Sequence, residues 1–244
     1  MSGTSWQRSE TNLFHASVRD INAVVDETMK RARHNVEILF VRLQSLGFKF
    51  VAPLSASDAR VEAVNTRFGN VRYDYQCFTP SQADSITSCL DSVAEAIGPL
   101  PLSLASWYKH VGSVYWLGDH PLLCTYRSES RDSDRPIVYA DPLVIYPPAY
   151  SLIEYDSYLD NDNSEPFVFP VSPDLDFKHG FGGGGYDGVV ISGFAVDADY
   201  TLTGSSFMSY LRLSFDWGGF PGWRKHPLRP VRELKFLADG LLPL

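Results

Sequence analysis

VRDINAVVDETMKRARHNVEILFVRLQSLGFKFV, residues 18–51, is the stretch on which the fold turns. Its apolar residues Val18, Ile21, Val25, Met29, Ala32, Val36, Leu39, Leu43 and Leu46 recur at steps of three and four, the signature of one buried face on a long amphipathic helix. Gly47 stands where such a helix needs a left-handed stop, a conformation that costs glycine least. Phe48 to Val51, closed by Pro53, then reads as a short strand, so residues 1–52 form a helical arm with a first strand.

Working outward, Thr79, Pro80 and Gln82 predict the start of a second helix, with Thr79 as N-cap, Pro80 in the first helical position and Gln82 closing a capping box. Ile86, Leu90, Val93 and Ile97 supply its apolar stripe and Gly98 its end. A short third helix runs from Leu102 to Val111 and stops at Gly112. Thereafter the chain becomes β-rich: Ser113–Leu117, Leu122–Tyr126, Pro136–Tyr139, Leu143–Tyr146, Pro166–Val171 and Gly188–Phe194, bounded by Gly, Pro, Asp or Asn. A short helix is expected at Ala149–Leu159, an acidic turn at Asp160–Glu165, a last helix at Ser205–Phe215, and irregular chain over WGGFPGW. Helices, then strands, then a helix argue for α+β rather than a doubly wound α/β fold. With no repeat and no evident linker, residues 1–244 read as one domain.

A chain of 244 residues buries roughly 70% of its unfolded surface and needs neither disulfides nor a structural metal to hold a core. The three cysteines, Cys77, Cys89 and Cys124, include no C-x-x-C pair, which argues for reduced, packing thiols. No secretory apolar run opens the chain, and no stretch approaches the ~20 apolar residues of a membrane helix. A cytoplasmic protein without a membrane partner is expected.

The formal charge is −8, unevenly spread. Residues 141–200 hold one basic group, Lys178, against eleven acidic ones, whereas residues 201–244 hold six basic against three acidic. The acidic quarter would repel phosphates, so direct nucleic-acid binding is not expected. Two readings of those carboxylates stay open: a solvated face that keeps the chain in solution, or a field that attracts a basic partner.

Catalytic signatures fail on context. Gly180, Gly182 and Gly185 satisfy G-x-G-x-x-G, but no strand precedes and no helix follows them, the reverse of a dinucleotide site. Gly183, Gly185, Gly188 and Val190 imitate the kinase glycine loop, without its lysine, H-R-D or D-F-G elements. His179-Gly180 lacks a G-x-S-x-G serine. The histidines at 15, 34, 110, 120, 179 and 226 show no zinc-ligand spacing, and Asp160 begins no EF-hand, because Glu165 and Val171 occupy the positions of the required Gly and Glu. No cofactor is expected. Carboxylate pairs that meet only in space remain an open alternative.

Two stretches resemble a known family when taken together. GPLPLSLASWYKHVGSVYWLG, residues 98–118, is similar to the helix-to-strand unit of the SUKH superfamily, the Smi/Knr cell-wall-regulator-like proteins. DPLVIYP at 141–147, followed by FMSYLRLSFDWGGFPGW at 207–223, resembles a bacterial branch of the same superfamily. The likeness spans 98–224 and, more faintly, LQSLGFKF ending at Phe50; Ser113 departs from it where many relatives have a second glycine. It implies a mixed, largely antiparallel sheet flanked by helices, and an immunity protein that neutralises a cognate toxin by binding it, with no catalytic residues. Relatives that act as regulatory scaffolds, and an enzyme whose carboxylates or histidines converge in three dimensions, are the alternatives.

Trp107, Tyr108, Trp116, Trp217, Phe220 and Trp223 are expected in the core or anchoring loops. A toxin that cleaves nucleic acid has a basic active surface that an acidic inhibitor could occlude. On that reasoning Asp156, Asp160, Asp162, Glu165, Asp174 and Asp176 are the candidate partner-binding residues.

Overall fold

The computed structural model describes residues 4–53, 58–69, 75–123, 140–161, 164–179, 185–191, 193–200 and 204–244, with backbone alone at 4–19, 58, 83 and 200. The first element, α1, runs from Thr4 to Ser45. Val25, Met29, Ala32, Val36, Leu39 and Leu43 are buried as the periodicity requires, while Ile21 lies largely exposed. The helix ends in a Schellman turn: Gly47 takes φ +75°, its N–H donates to Gln44 O, and Phe48 N–H donates to Leu43 O.

That turn feeds β1 (Lys49–Phe50), which pairs with β4 (Gly118–Asp119). A three-stranded sheet joins β2 (Phe78–Pro80), β3 (Gly112–Tyr115) and β5 (Val144–Ile145). A hairpin joins β6 (Val168–Pro173) and β7 (Tyr186–Val190), and a short ladder joins β8 (Asp199–Tyr200) to β9 (Ser205–Ser206). Every described pairing is antiparallel. Around these strands lie α2 (Asp58–Phe68), α3 (Ala83–Ala96), α4 (Leu102–His110), α5 (Pro148–Leu159), α6 (Leu175–Lys178), α7 (Phe207–Asp216), a 3₁₀ turn at Pro221–Lys225, and α8 (Val231–Ala238). The class is α+β.

Several elements differ from the sequence reading. Thr79 does not cap a helix: Phe78, Thr79 and Pro80 pair with Val114, Ser113 and Gly112, and the Thr79 hydroxyl accepts from Gln76 N–H at 3.0 Å. The helix begins at Ala83 instead, with Gln82 as an N-cap whose side chain makes no capping bond. Ladder bonds that a distant strand offers to the backbone override a local capping pattern worth about 1 kcal/mol. Leu122 and Leu123 form no strand, and Cys124–Tyr139, including the expected strand at Pro136–Tyr139, lies outside the described residues. Within WGGFPGW, PGW opens the 3₁₀ turn. The helices α2 and α8 carry no strong start signal in the sequence.

The main core is a cluster of buried side chains running from Met29 on α1 to Leu237 on α8, and a smaller one gathers Tyr115, Leu117, Val144 and Tyr146. Trp107, Tyr108, Trp116, Phe220 and Trp223 belong to the main core, and Trp217 packs against its edge. α1 lies against α4 and α8. Asn35 is fully buried on α1, but its amide is satisfied twice: Nδ2 donates to Leu242 O and Oδ1 accepts from Leu242 N–H, both at 2.8 Å. Arg33 reaches from the same helix to the C-terminus of α4, donating to His110 O and Val111 O.

WGGFPGW serves as a clasp. Leu143 N–H donates to Gly219 O and Gly222 N–H donates to Ala140 O, tying the segment ahead of β5 to the turn after α7. Gly219 has φ +91°, and a β-carbon there would sit 2.8 and 2.9 Å from the ring of Trp116. Only glycine allows both the conformation and the approach.

Candidate functional site

Five of the six candidate carboxylates lie among the described residues; Asp162 lies outside them. Asp156 and Asp160 stand on and just beyond the last turn of α5. Both meet Arg67 of α2, at 2.8 Å and 3.4 Å, while Glu154, two residues before Asp156, pairs with Arg60 at 3.2 Å. These two aspartates therefore dock α2 onto α5 as well as charging the surface. Glu165 and Asp176 are exposed. Asp174 is half-buried and caps α6, its carboxylate accepting from Phe177 N–H at 2.8 Å.

Of these carboxylates, Glu165 lines a cleft between the end of α5 and the β6–β7 hairpin. Tyr158, Glu165, Phe167 and Tyr186 line it together with Gly185. Tyr158 OH donates to Glu165 O at 2.8 Å, fixing the acidic turn to the helix. Phe167 lies edge-on to both Tyr155 and Tyr158, with centroids 4.9 and 5.3 Å apart, so the aromatic wall is rigid. On the opposite side Asp174 N–H donates to Gly185 O and Pro173 pairs with Tyr186. Burial, and then the charge of Glu154, push the Tyr186 phenol above its usual range, so the ring stays neutral. The result is a concave strip of half-exposed aromatic rings with Glu165 in its lining and Asp174 packed against Gly185 at its edge.

Beneath this face lies a polar cluster that sequence reasoning missed. Lys178 is fully buried, and its Nζ contacts Asp141 Oδ1 at 2.5 Å and Tyr210 OH at 3.4 Å. Asp141 adopts φ +49°, the one left-handed non-glycine residue described, immediately before Pro142. The residue before proline is normally extended, so the ion pair holds a strained turn in place. Asp187 on β7 is also buried, and its Oδ2 has no hydrogen-bond partner among the described residues. Burial pushes its carboxyl up to about 7, opposed by Lys178 and reinforced by Asp141 and Asp174. His179 is buried beside Lys178 with Nδ1 against Leu175 O, and burial holds it below the usual imidazole range.

The one signal for this cluster in the sequence is that Lys178 is the lone cation among residues 141–200. A lone cation in acidic company will be matched by carboxylates wherever the chain folds back. Among the described residues no three His, Cys, Asp or Glu side chains converge as a metal-ligand set. The cluster fastens α6 and β7 to the turn at Asp141, and thereby sets where Asp174 and Tyr186 stand. Comparison with family models, with curated proteins and with solved structures gives no match to this chain.

Proposed function

We propose that this chain is a non-enzymatic binding protein of the SUKH type that neutralises a cognate toxin by covering its basic surface with the face built on α5 and the β6–β7 hairpin. The observation that carries the reading is the cleft itself: Tyr158, Phe167 and Tyr186 form an aromatic wall beside the exposed carboxylate of Glu165. Tyrosine supplies large contact area at low entropy cost and is enriched at binding hot spots, while peripheral acid speeds the encounter with a basic partner. The resemblance of residues 98–118, 141–147 and 207–223 to the superfamily supports the same reading. Two of its motifs are structural in this chain, DPL as the turn under Lys178 and WGGFPGW as the clasp, so binding specificity resides elsewhere. We place the action in the cytoplasm; Cys77 and Cys89 are free thiols, in keeping with a reducing compartment.

The experiment is capture of the tagged full chain from its native host, beside the double variant Glu165→Lys, Asp176→Lys. The wild type should retain a basic protein at equal stoichiometry and protect cells from it, and the variant should lose both while keeping its circular dichroism spectrum. A partner retained equally by the variant would overturn the reading.

A further inference from the structure

The opposite charge also has a surface of its own. Arg224, Lys225, Arg229, Arg232 and Lys235 lie within one stretch of chain and are all exposed. None of the five forms an ion pair among the described residues, whereas Arg31, Arg33, Arg60 and Arg67 are each matched to a carboxylate. Arg229 stacks over the Trp217 ring at 5.8 Å, which positions its guanidinium without neutralising it. Beside these cations stand three large apolar side chains, Leu228, Val231 and Phe236, exposed to 70%, 62% and 45%, with the Arg42 guanidinium over the Phe236 ring at 5.6 Å.

On α8 the two kinds of residue share one side. Leu234 and Leu237 are buried, and Val231, Arg232, Lys235 and Phe236 are exposed, an outward arc of about 140° at 3.6 residues per turn. Glu233 is half-buried outside that arc, and Asp216 and Asp239 share a cleft with Arg229, Val231 and Lys235. The helix cannot swing outward to expose more, because Arg42 of α1 donates to Leu237 O and Asp239 O at 2.7 Å each.

We propose that this ridge adsorbs to an anionic phospholipid surface, the five cations meeting headgroup phosphates while Leu228, Val231 and Phe236 enter the acyl boundary. Nucleic acid would use the cations but leave the apolar side chains in water, whereas a lipid surface offers phosphates to the one and an acyl boundary to the other. That no described helix is long and apolar enough to cross a membrane is a different matter. Asp216, Glu233 and Asp239 offset part of the ridge's positive charge and leave it with a cationic excess, and acid more than about 8 Å from the surface is screened at physiological salt. The proposal departs from the expectation of no membrane partner for the surface, though not for the bilayer interior.

The test is flotation of the full chain with phosphatidylcholine vesicles and with vesicles containing about one third phosphatidylserine. The wild type should float with the anionic vesicles alone and release as salt is raised. Arg229→Glu, Arg232→Glu, Lys235→Glu should weaken this by about a hundredfold or more, and Val231→Ser, Phe236→Ser by about tenfold. Both sets are surface changes, and retained circular dichroism checks the fold. Equal flotation with neutral vesicles, unchanged flotation of the charge-reversed variant, or no flotation with self-association at the ridge seen by light scattering would each overturn the proposal. Partner capture at the acidic cleft does not depend on it.

Discussion

Replacing Asp187 with asparagine should flatten the pH dependence of stability in a calculable way. The side chain is 4% exposed on β7, and its carboxyl sits at about 7 in the fold against about 3.9 in an unfolded chain. Below 3.9 both states bind the proton and the group costs nothing; as pH rises the unfolded chain releases it first, and folding must either retain it or bury a charge. Its contribution to stability is therefore complete at low pH, declines up to about 7, and stays lost above that. Asparagine has the same shape and no proton to lose.

Between about pH 5.5 and pH 8 the advantage of Asp187→Asn over wild type should widen by about one and a half pH units at ~1.4 kcal/mol each, about 2 kcal/mol. Comparing the two pH values cancels any fixed cost of the amide, such as an unsatisfied N–H. Urea unfolding of both proteins at the two pH values measures it. If the difference between variant and wild type is the same at both, Asp187 is not a buried carboxyl that resists ionisation, and the account of the polar cluster fails.

The same cluster makes a second prediction. Lys178→Met leaves Asp141 and Asp187 buried without their cation and should destabilise the fold by about 3–5 kcal/mol at neutral pH, with part of the loss recovered when Asp141→Asn is added. A loss below about 1 kcal/mol in urea unfolding would show that Lys178 is not the counter-charge. Gly219→Ala places a methyl group against Trp116 in a left-handed backbone; thermal unfolding should report a loss of about 2–4 kcal/mol, and near-ultraviolet circular dichroism a changed tryptophan signal.

What the sequence declared was local. The spacing from Val25 to Leu43 decided both the existence of α1 and the face it buries, because a helix repeats every 3.6 residues whatever it later packs against. Gly47 decided where it stops, and the order of helices and strands decided the class. The apolar character of Trp107, Trp116 and Phe220 placed them in the core before any contact was known. Charge counting likewise located the acidic quarter of the chain and, within it, the isolated Lys178.

Only the tertiary structure decided how those charges are used. Asp156 and Asp160 look alike in sequence to Glu165 and Asp176, yet the first two meet Arg67, 89 and 93 residues away, and the others face solvent. Lys178 finds Asp141 across 37 residues and Tyr210 across 32. Thr79 becomes a strand residue because β3 lies beside it, and the outward side of α8 is known only once Leu234 and Leu237 have turned inward. Desolvation and pairing act between groups that chain folding brings together, so their energies have no period along the sequence to read. The periodic signals fix the elements, and the choice of which polar groups are neutralised in the interior and which remain to meet another surface belongs to the packed molecule alone.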